Sequence, residues 1–183
     1  MNQGRLHVKY ANALYDFAEA SNAIQSVYTD INNISDLLTT SPELLELLDS
    51  PVIYPTRKKE LIDKLFRGKL SDVTIRYLHF LVDKHREMHL KYIAITFFRI
   101  YREKMGITRV EFVSALEVSE SFKGTIRKEL EKSISGELEL VFQTKSDLIG
   151  GFTLALNDSL LDASVATKLR RLKSKVQESY SSH

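Results

Sequence analysis

Apolar residues recur every three or four positions through residues 1 to about 105, which is the period of an amphipathic α-helix. Proline, glycine and helix-capping residues interrupt this rhythm and divide the segment into six predicted helices. Ser41-Pro42 is an N-cap followed by proline at the first helical position, and Gly68 is a C-terminal stop. Six amphipathic helices with short connections predict an N-terminal six-helix bundle.

Beyond Gly106 the period changes from that of a helix to that of a strand. Apolar residues share one parity in residues 107–118, and the helical spacing returns over residues 119–135. Since strand, helix and strand follow one another, the pattern favours a parallel pair joined by a right-handed crossover. We therefore expect a helical domain over residues 1–105 and a small α/β domain over residues 106–183.

Apolar and polar residues alternate on both sides of a glycine pair. Residues 138–142 precede Gly150-Gly151 and residues 152–156 follow it, which predicts two strands that each bury one face. The short connection favours a hairpin with its structural turn at Gly150 and Gly151, and the polar pair Asn157-Asp158 is a predicted turn after the second strand. A last amphipathic helix through residues 165–176 completes the order strand–helix–strand–strand–helix. The predicted fold class is mainly α with a small α/β part.

Composition narrows the class of protein. The chain has 183 residues, of which 43% are hydrophobic and 27% charged, so a folded protein is expected. A net charge of +2 is too small for a general nucleic-acid binder, and the lack of cysteine excludes disulfides and thiolate metal sites. The N-terminal residues lack the features of a signal or transit peptide. The longest central apolar run, residues 92–98, is far below the roughly 20 residues of a membrane span, so no direct membrane insertion is expected.

Three histidines, His79, His85 and His89, lie close together in the sequence. The last two are four positions apart, a spacing used by helical metal sites, but the acid in HREMH stands one place late for the H-E-x-x-H pattern. A solvated helix end explains them better. The sequence also has no phosphate-binding loop, dinucleotide fingerprint, calcium loop or nucleophile elbow. We therefore expect no catalytic residue, no cofactor and no metal site.

Two helices carry features that a folded core alone does not require. The first helix is apolar on more than one stripe, so it is either central or offers one side to a partner, and Phe80 lies off the apolar stripe of the fifth helix. The last helix is strongly basic, which usually marks a solvated face and alternatively a surface for an acidic partner helix. By themselves these residues predict a two-domain interaction protein.

Four segments resemble, in order, the delta subunit of F-type ATP synthases, called the oligomycin-sensitivity-conferring protein in mitochondria. The most specific segment is similar to the family's L-I-G-G, D, D-x-S-V and L-x-x-L pattern. The resemblance covers almost the whole chain. It departs from the family at Lys145, where an acidic residue is usual, and at Asn157 and Ala163, where glycine is usual. The segments are YANALYDFA (10–18), LLDSPVIYPTRKKELIDKLF (47–66), FLVDKHREMHLKYIAITFFRIYREKMG (80–106) and DLIGGFTLALNDSLLDASVATKLRRL (147–172).

The resemblance implies a non-catalytic peripheral-stalk subunit, one copy per enzyme, that resists rotor torque during proton-driven ATP synthesis. It implies a peripheral location on the cytoplasmic face of the bacterial inner membrane. The helical domain would bind the N-terminal helix of an α subunit, and the second domain would bind the C-terminal end of the b subunit. The expected α-subunit contacts are Tyr10, Ala13, Leu14, Phe17, Ile75, Leu78 and Phe80, and the expected b-subunit contacts are Val165, Lys168, Leu169, Arg171 and Leu172.

A generic helical-bundle interaction or regulatory module, or a nucleic-acid-binding module, is the alternative. A contiguous basic groove with aromatic residues facing it would favour nucleic acid, whereas an apolar groove would favour capture of a partner helix. An enzyme would need convergent polar groups in a pocket, and the sequence offers no such set.

Overall fold

A computed structural model describes residues 3–156, 159–165, 167 and 169, apart from the side chains of Gln3, Pro42 and Leu45. The chain divides into two compact units, residues 1–101 and 102–183. The described residues are mainly helical, and a four-stranded sheet lies near the C-terminal end. The prediction of a mainly α protein with a small sheet is confirmed.

The helices of the first unit begin where the sequence supplies starting signals. Two of them have proline in their first turn, and another is capped by Ser71, whose Oγ accepts a hydrogen bond from Thr74 N at 3.3 Å. In chain order the elements are α1 (Gln3–Ala20), α2 (Ile24–Thr40), α3 (Pro42–Asp49), α4 (Pro55–Phe66), α5 (Asp72–Asp83), a 3₁₀ turn (Glu87–His89) and α6 (Leu90–Met105).

The core of the first unit forms where the predicted apolar faces of α1, α2, α5 and α6 meet. Burial of these side chains stabilises the unit by roughly 1.5–3 kcal/mol for each large residue. The most completely buried of them are Ala11, Leu14, Ala18, Val27, Ile31, Ile34, Leu81, Val82, Ile93, Ala94 and Phe97.

Asp30 of α2 fixes the start of α5. Its buried carboxylate accepts hydrogen bonds from Ser71 N at 2.9 Å, Ser71 Oγ at 2.6 Å and Thr74 Oγ1 at 2.7 Å. A negative charge at a helix N-terminus also interacts favourably with the helix dipole. One carboxylate therefore links α2 to the first turn of α5.

Lys58 of α4 makes a second buried polar link. Its Nζ lies 2.6 Å from Glu87 Oε1 in the 3₁₀ turn and also donates to the carbonyl of Leu48 near the end of α3. Buried charges are tolerated only when they are paired and hydrogen-bonded. This one side chain therefore joins three elements.

The second unit holds the sheet. Its elements are β1 (Ile107–Ser114), α7 (Glu120–Ser133), β2 (Glu137–Thr144), β3 (Phe152–Leu156) and β4 (Ser159–Asp162). The spatial order is β2-β1-β3-β4. β1 and β2 are parallel, as predicted, whereas β3 runs antiparallel to β1 and β4 antiparallel to β3.

The predicted hairpin between β2 and β3 is wrong, because β3 pairs with β1 on the side away from β2. Residues 145–151 carry the chain across the end of β1: Lys145 N donates to Ser114 O at 2.8 Å, and Ala115 N donates to Gly151 O at 3.3 Å. The chain has to cover two strand spacings of about 4.8 Å each. The segment 145–151 is long enough for that, so β3 pairs with the free edge of β1 and not with β2.

The short strand β4 was not predicted. Residues 159–162 were expected to lead from the turn into the last helix, but they pair with β3, with Leu156 opposite Ser159. The predicted one-sided burial is also absent from β3, whose residues are all half-buried. The predicted turn at Asn157 and Asp158 lies outside the described residues, as does most of the predicted last helix.

Candidate helix-binding surface between α1 and α5

Tyr77 links α5 to α1 through a hydrogen bond. Its side chain is buried, and its hydroxyl donates a hydrogen bond to the carbonyl oxygen of Tyr10 at 2.9 Å. Burial, with a smaller contribution from Tyr10, raises the pKa of the Tyr77 phenol above its usual value. The hydroxyl therefore stays protonated and remains a donor at neutral pH.

An apolar strip lies on this junction. The rings of Tyr10 and Phe80 are 5.9 Å apart, and Phe80 is 40% exposed. On α1, Tyr10, Ala13 and Phe17 follow the i, i+3, i+7 spacing of one helix face; Ala13 is exposed and the other two are half-buried. These four residues, here called the aromatic strip, are the predicted contacts that the structure brings to the surface.

Two cations flank the aromatic strip, Arg76 on α5 and Lys84 directly after its last residue. The Arg76 guanidinium carbon lies 5.2 Å from the centroid of the Phe17 ring, and Lys84 Nζ lies 5.9 Å from that of Phe80. Each such contact at an exposed site contributes about 0.5–1 kcal/mol. The sequence analysis missed both, although Arg76, Phe80 and Lys84 are spaced four apart in the sequence. The strip is therefore apolar in the middle and positively charged beside α5.

The other predicted α-subunit contacts lie in the interior of the unit. Leu14, Ile75 and Leu78 are all buried. In this conformation they hold the helices together and present no surface to a partner.

The predicted b-subunit contacts fall only partly within the described residues. Val165 and Leu169 are exposed, whereas Lys168, Arg171 and Leu172 lie outside that part of the chain. Val165 N donates to Gly150 O at 2.9 Å. Gly151 has a φ of +82°, and a Cβ there would lie 2.4 Å from Ala163 O. The glycine pair is thus needed so that residues 163–165 can pack closely against it.

A pocket of about 440 Å³ opens beyond the carboxyl end of β1. Its wall includes Phe112 and Phe152, whose stacked rings are 5.1 Å apart, together with Phe122. Leu116 and Ile149 at its rim are 78% and 73% exposed. The sequence analysis did not find this pocket, because its lining comes from strands, a helix and loops that are separate in the sequence.

Among the described residues, no three His, Cys, Asp or Glu side chains are placed to hold a metal ion together. Within the same part of the chain, no helix is both long and apolar enough to cross a bilayer.

Comparison with known proteins agrees over nearly the full length. A family model for the ATP synthase delta (OSCP) subunit matches residues 6–176. The delta subunit of ATP synthase from Desulforudis audaxviator is 33% identical over 97% of this chain and 98% of its own. The sodium-ion-specific delta subunit of Ilyobacter tartaricus is 30% identical over 92% of this chain and 97% of its own.

The fold agrees as well. A chain in the solved mitochondrial ATP synthase hexamer of Toxoplasma gondii superposes with a TM-score of 0.77 at 25% identity, covering 94% of this chain and 97% of that one. Sequence and fold therefore lead to one conclusion: the chain belongs to the ATP synthase delta (OSCP) family, a component of the peripheral stalk.

Proposed function

We propose that the protein is the non-catalytic connector between the catalytic head of ATP synthase and its peripheral stalk. Residues 1–105 form a six-helix-bundle domain that captures the N-terminal helix of an α subunit between α1 and α5. Residues 106–183 form an α/β domain that binds the C-terminal end of the b subunit. One copy joins the two partners, so that the head stays still while the rotor turns.

The aromatic strip is the observation that carries this proposal. Tyr10 and Phe80 present their rings side by side, and Tyr77 fixes the two helices that bear them. A partner helix with apolar residues at i, i+3 or i+4, and i+7 matches such a strip. Because Arg76 and Lys84 flank it, acidic residues beside the apolar stripe of the partner would strengthen binding.

The second unit offers a contiguous apolar area for the b subunit. Val165 packs against Gly150, which also lines the pocket at the end of β1. Val165 therefore lies beside the pocket whose rim residues Leu116 and Ile149 are exposed, and Leu169 is exposed as well. We place the end of the b subunit across this area, with Lys168, Arg171 and Leu172 as the further expected contacts.

The protein's role in this scheme is mechanical, and its own chemistry is nil. Torque is resisted by two interfaces on separate surfaces of one chain, so neither partner displaces the other. Attachment to the cytoplasmic face of the bacterial inner membrane then comes through the assembled enzyme.

The helix-capture step is tested by replacing Tyr10 with aspartate. We expect the full chain to bind a peptide of about 25 residues from the N-terminus of its α subunit one to one. Tyr10→Asp should weaken binding at least ~30-fold, since loss of a central aromatic contact typically costs about 2 kcal/mol or more. Isothermal titration calorimetry measures this, and circular dichroism checks that the variant is folded.

Tyr54→Asp is the matched control, because Tyr54 is 79% exposed between α3 and α4 and belongs to neither helix that forms the strip. It should bind the peptide like the unmodified protein. Full binding by Tyr10→Asp, or an equal loss in both variants, would rule out the strip as the docking surface.

A further inference from the structure

Two histidines from distant parts of the sequence meet at one end of the first unit. His7 Nε2 on α1 lies 3.4 Å from His89 Nδ1 at the end of the 3₁₀ turn. Both side chains are half-buried. Tyr92 stacks on the His7 ring at 5.2 Å with planes 12° apart, which holds that ring in place. Two imidazoles are thus held together by separate elements.

The separation of the two nitrogens is unusual for a hydrogen bond. Protein hydrogen bonds with N–H donors are commonly 2.7–3.2 Å long, so 3.4 Å is a weak contact. Two nitrogen ligands at about 2.0–2.1 Å from a tetrahedral ion are roughly 3.3–3.4 Å apart. The observed spacing therefore matches two corners of a metal site.

We propose that His7 and His89 together bind a transition-metal ion that prefers imidazole ligands, with zinc as the leading case. Imidazole nitrogen suits zinc, copper and nickel, whereas magnesium and calcium prefer oxygen. Because the described residues supply no third His, Cys, Asp or Glu ligand, water completes the coordination. Such a site binds more weakly than a closed structural zinc site with four protein ligands.

Binding would fasten the first turns of α1 to the start of α6. A ligand that binds the folded protein and not the unfolded chain raises stability by mass action. The inference does not rest on the proposed function, although Tyr10 of the aromatic strip lies one helical turn from His7. The sequence analysis missed the pair because 82 positions separate its members.

The test uses the full chain without a histidine tag. Titration with zinc chloride in a calorimeter should show one equivalent per chain. At about ten times Kd the melting temperature should rise by roughly 3–6 °C, while magnesium should have no effect. His7→Asn and His89→Asn should each abolish the rise. His85→Asn is the control that should keep it, because His85 has a φ of +51° and asparagine tolerates that conformation.

Several results would overturn the proposal. One is zinc binding that survives in both His7→Asn and His89→Asn. Another is a zinc-induced rise in melting temperature that disappears only in His79→Gln. That result would assign the ion to the contact of His79 with Asp63 at 3.3 Å. If a variant does not fold, nitrogen-15 spectra of the unmodified protein decide: zinc must shift His7 Nε2 and His89 Nδ1, and unchanged signals would refute the site.

Discussion

Replacing Lys58 by methionine is expected to lower the free energy of unfolding by about 3–5 kcal/mol, because it leaves the Glu87 carboxylate buried without its cation. The two side chains are only 6% and 9% exposed, and their charged atoms are 2.6 Å apart. Glu87 Oε2 already finds no hydrogen-bond partner among the described residues. The carbonyl of Leu48 would lose its lysine donor as well.

Urea denaturation followed by circular dichroism measures this effect. The double variant Lys58→Met, Glu87→Leu should recover most of the loss, since it removes both buried charges. Lys59→Met is the matched control: its partner Asp83 is largely exposed, so less than about 1 kcal/mol should be lost. An equal cost for both lysines, or no recovery in the double variant, would contradict the assignment of a buried pair.

Gly151→Ala is expected to destabilise the second unit by about 2–4 kcal/mol, through backbone strain and overpacking. The φ of +82° is unfavourable for any residue with a Cβ. The added carbon would also lie 2.4 Å from Ala163 O and 3.0 Å from the Cα of Ser164. Both are atoms of the main chain, so β3 or the segment after β4 has to shift.

Gly124→Ala is expected to change the stability of the same unit in the opposite direction. Gly124 lies within α7, and a Cβ there meets nothing within 4 Å. Alanine should therefore raise stability by roughly 0.5–1 kcal/mol. Chemical denaturation gives both values, and hydrogen exchange of the amides in β1 and β3 locates the loss. A Gly151→Ala variant as stable as the unmodified protein would show that this close approach is not present in solution.

The helices were predictable because their signals are local. Ser41-Pro42 and Ser71-Asp72 mark helix starts within a few residues, and the apolar spacing reports the buried face directly. The pairing of β3 was not predictable in this way. A short connection favours a hairpin, but the choice between the edges of β1 and β2 depends on contacts that are distant in sequence.

The candidate surface was predictable only in part for a related reason. On a helix with apolar residues on more than one stripe, spacing does not separate Leu14, which is buried, from Tyr10 and Phe17, which are half-buried. The resemblance to a family supplied the pair of helices, α1 and α5, at which the surface was sought. The structure then showed which of these residues are buried in the core and which lie at the surface. It also placed Arg76 and Lys84 beside the strip, through contacts that no motif encodes.

The connector role is tested most directly by native mass spectrometry of the full chain mixed with two peptides, one from the N-terminus of its α subunit and one from the C-terminal end of its b subunit. We predict a 1:1:1 complex. Tyr10→Asp should lose only the α peptide, and Leu169→Asp should lose only the b peptide. Competition between the peptides for one surface, or loss of both from either substitution with the fold intact, would contradict a connector with two separate interfaces.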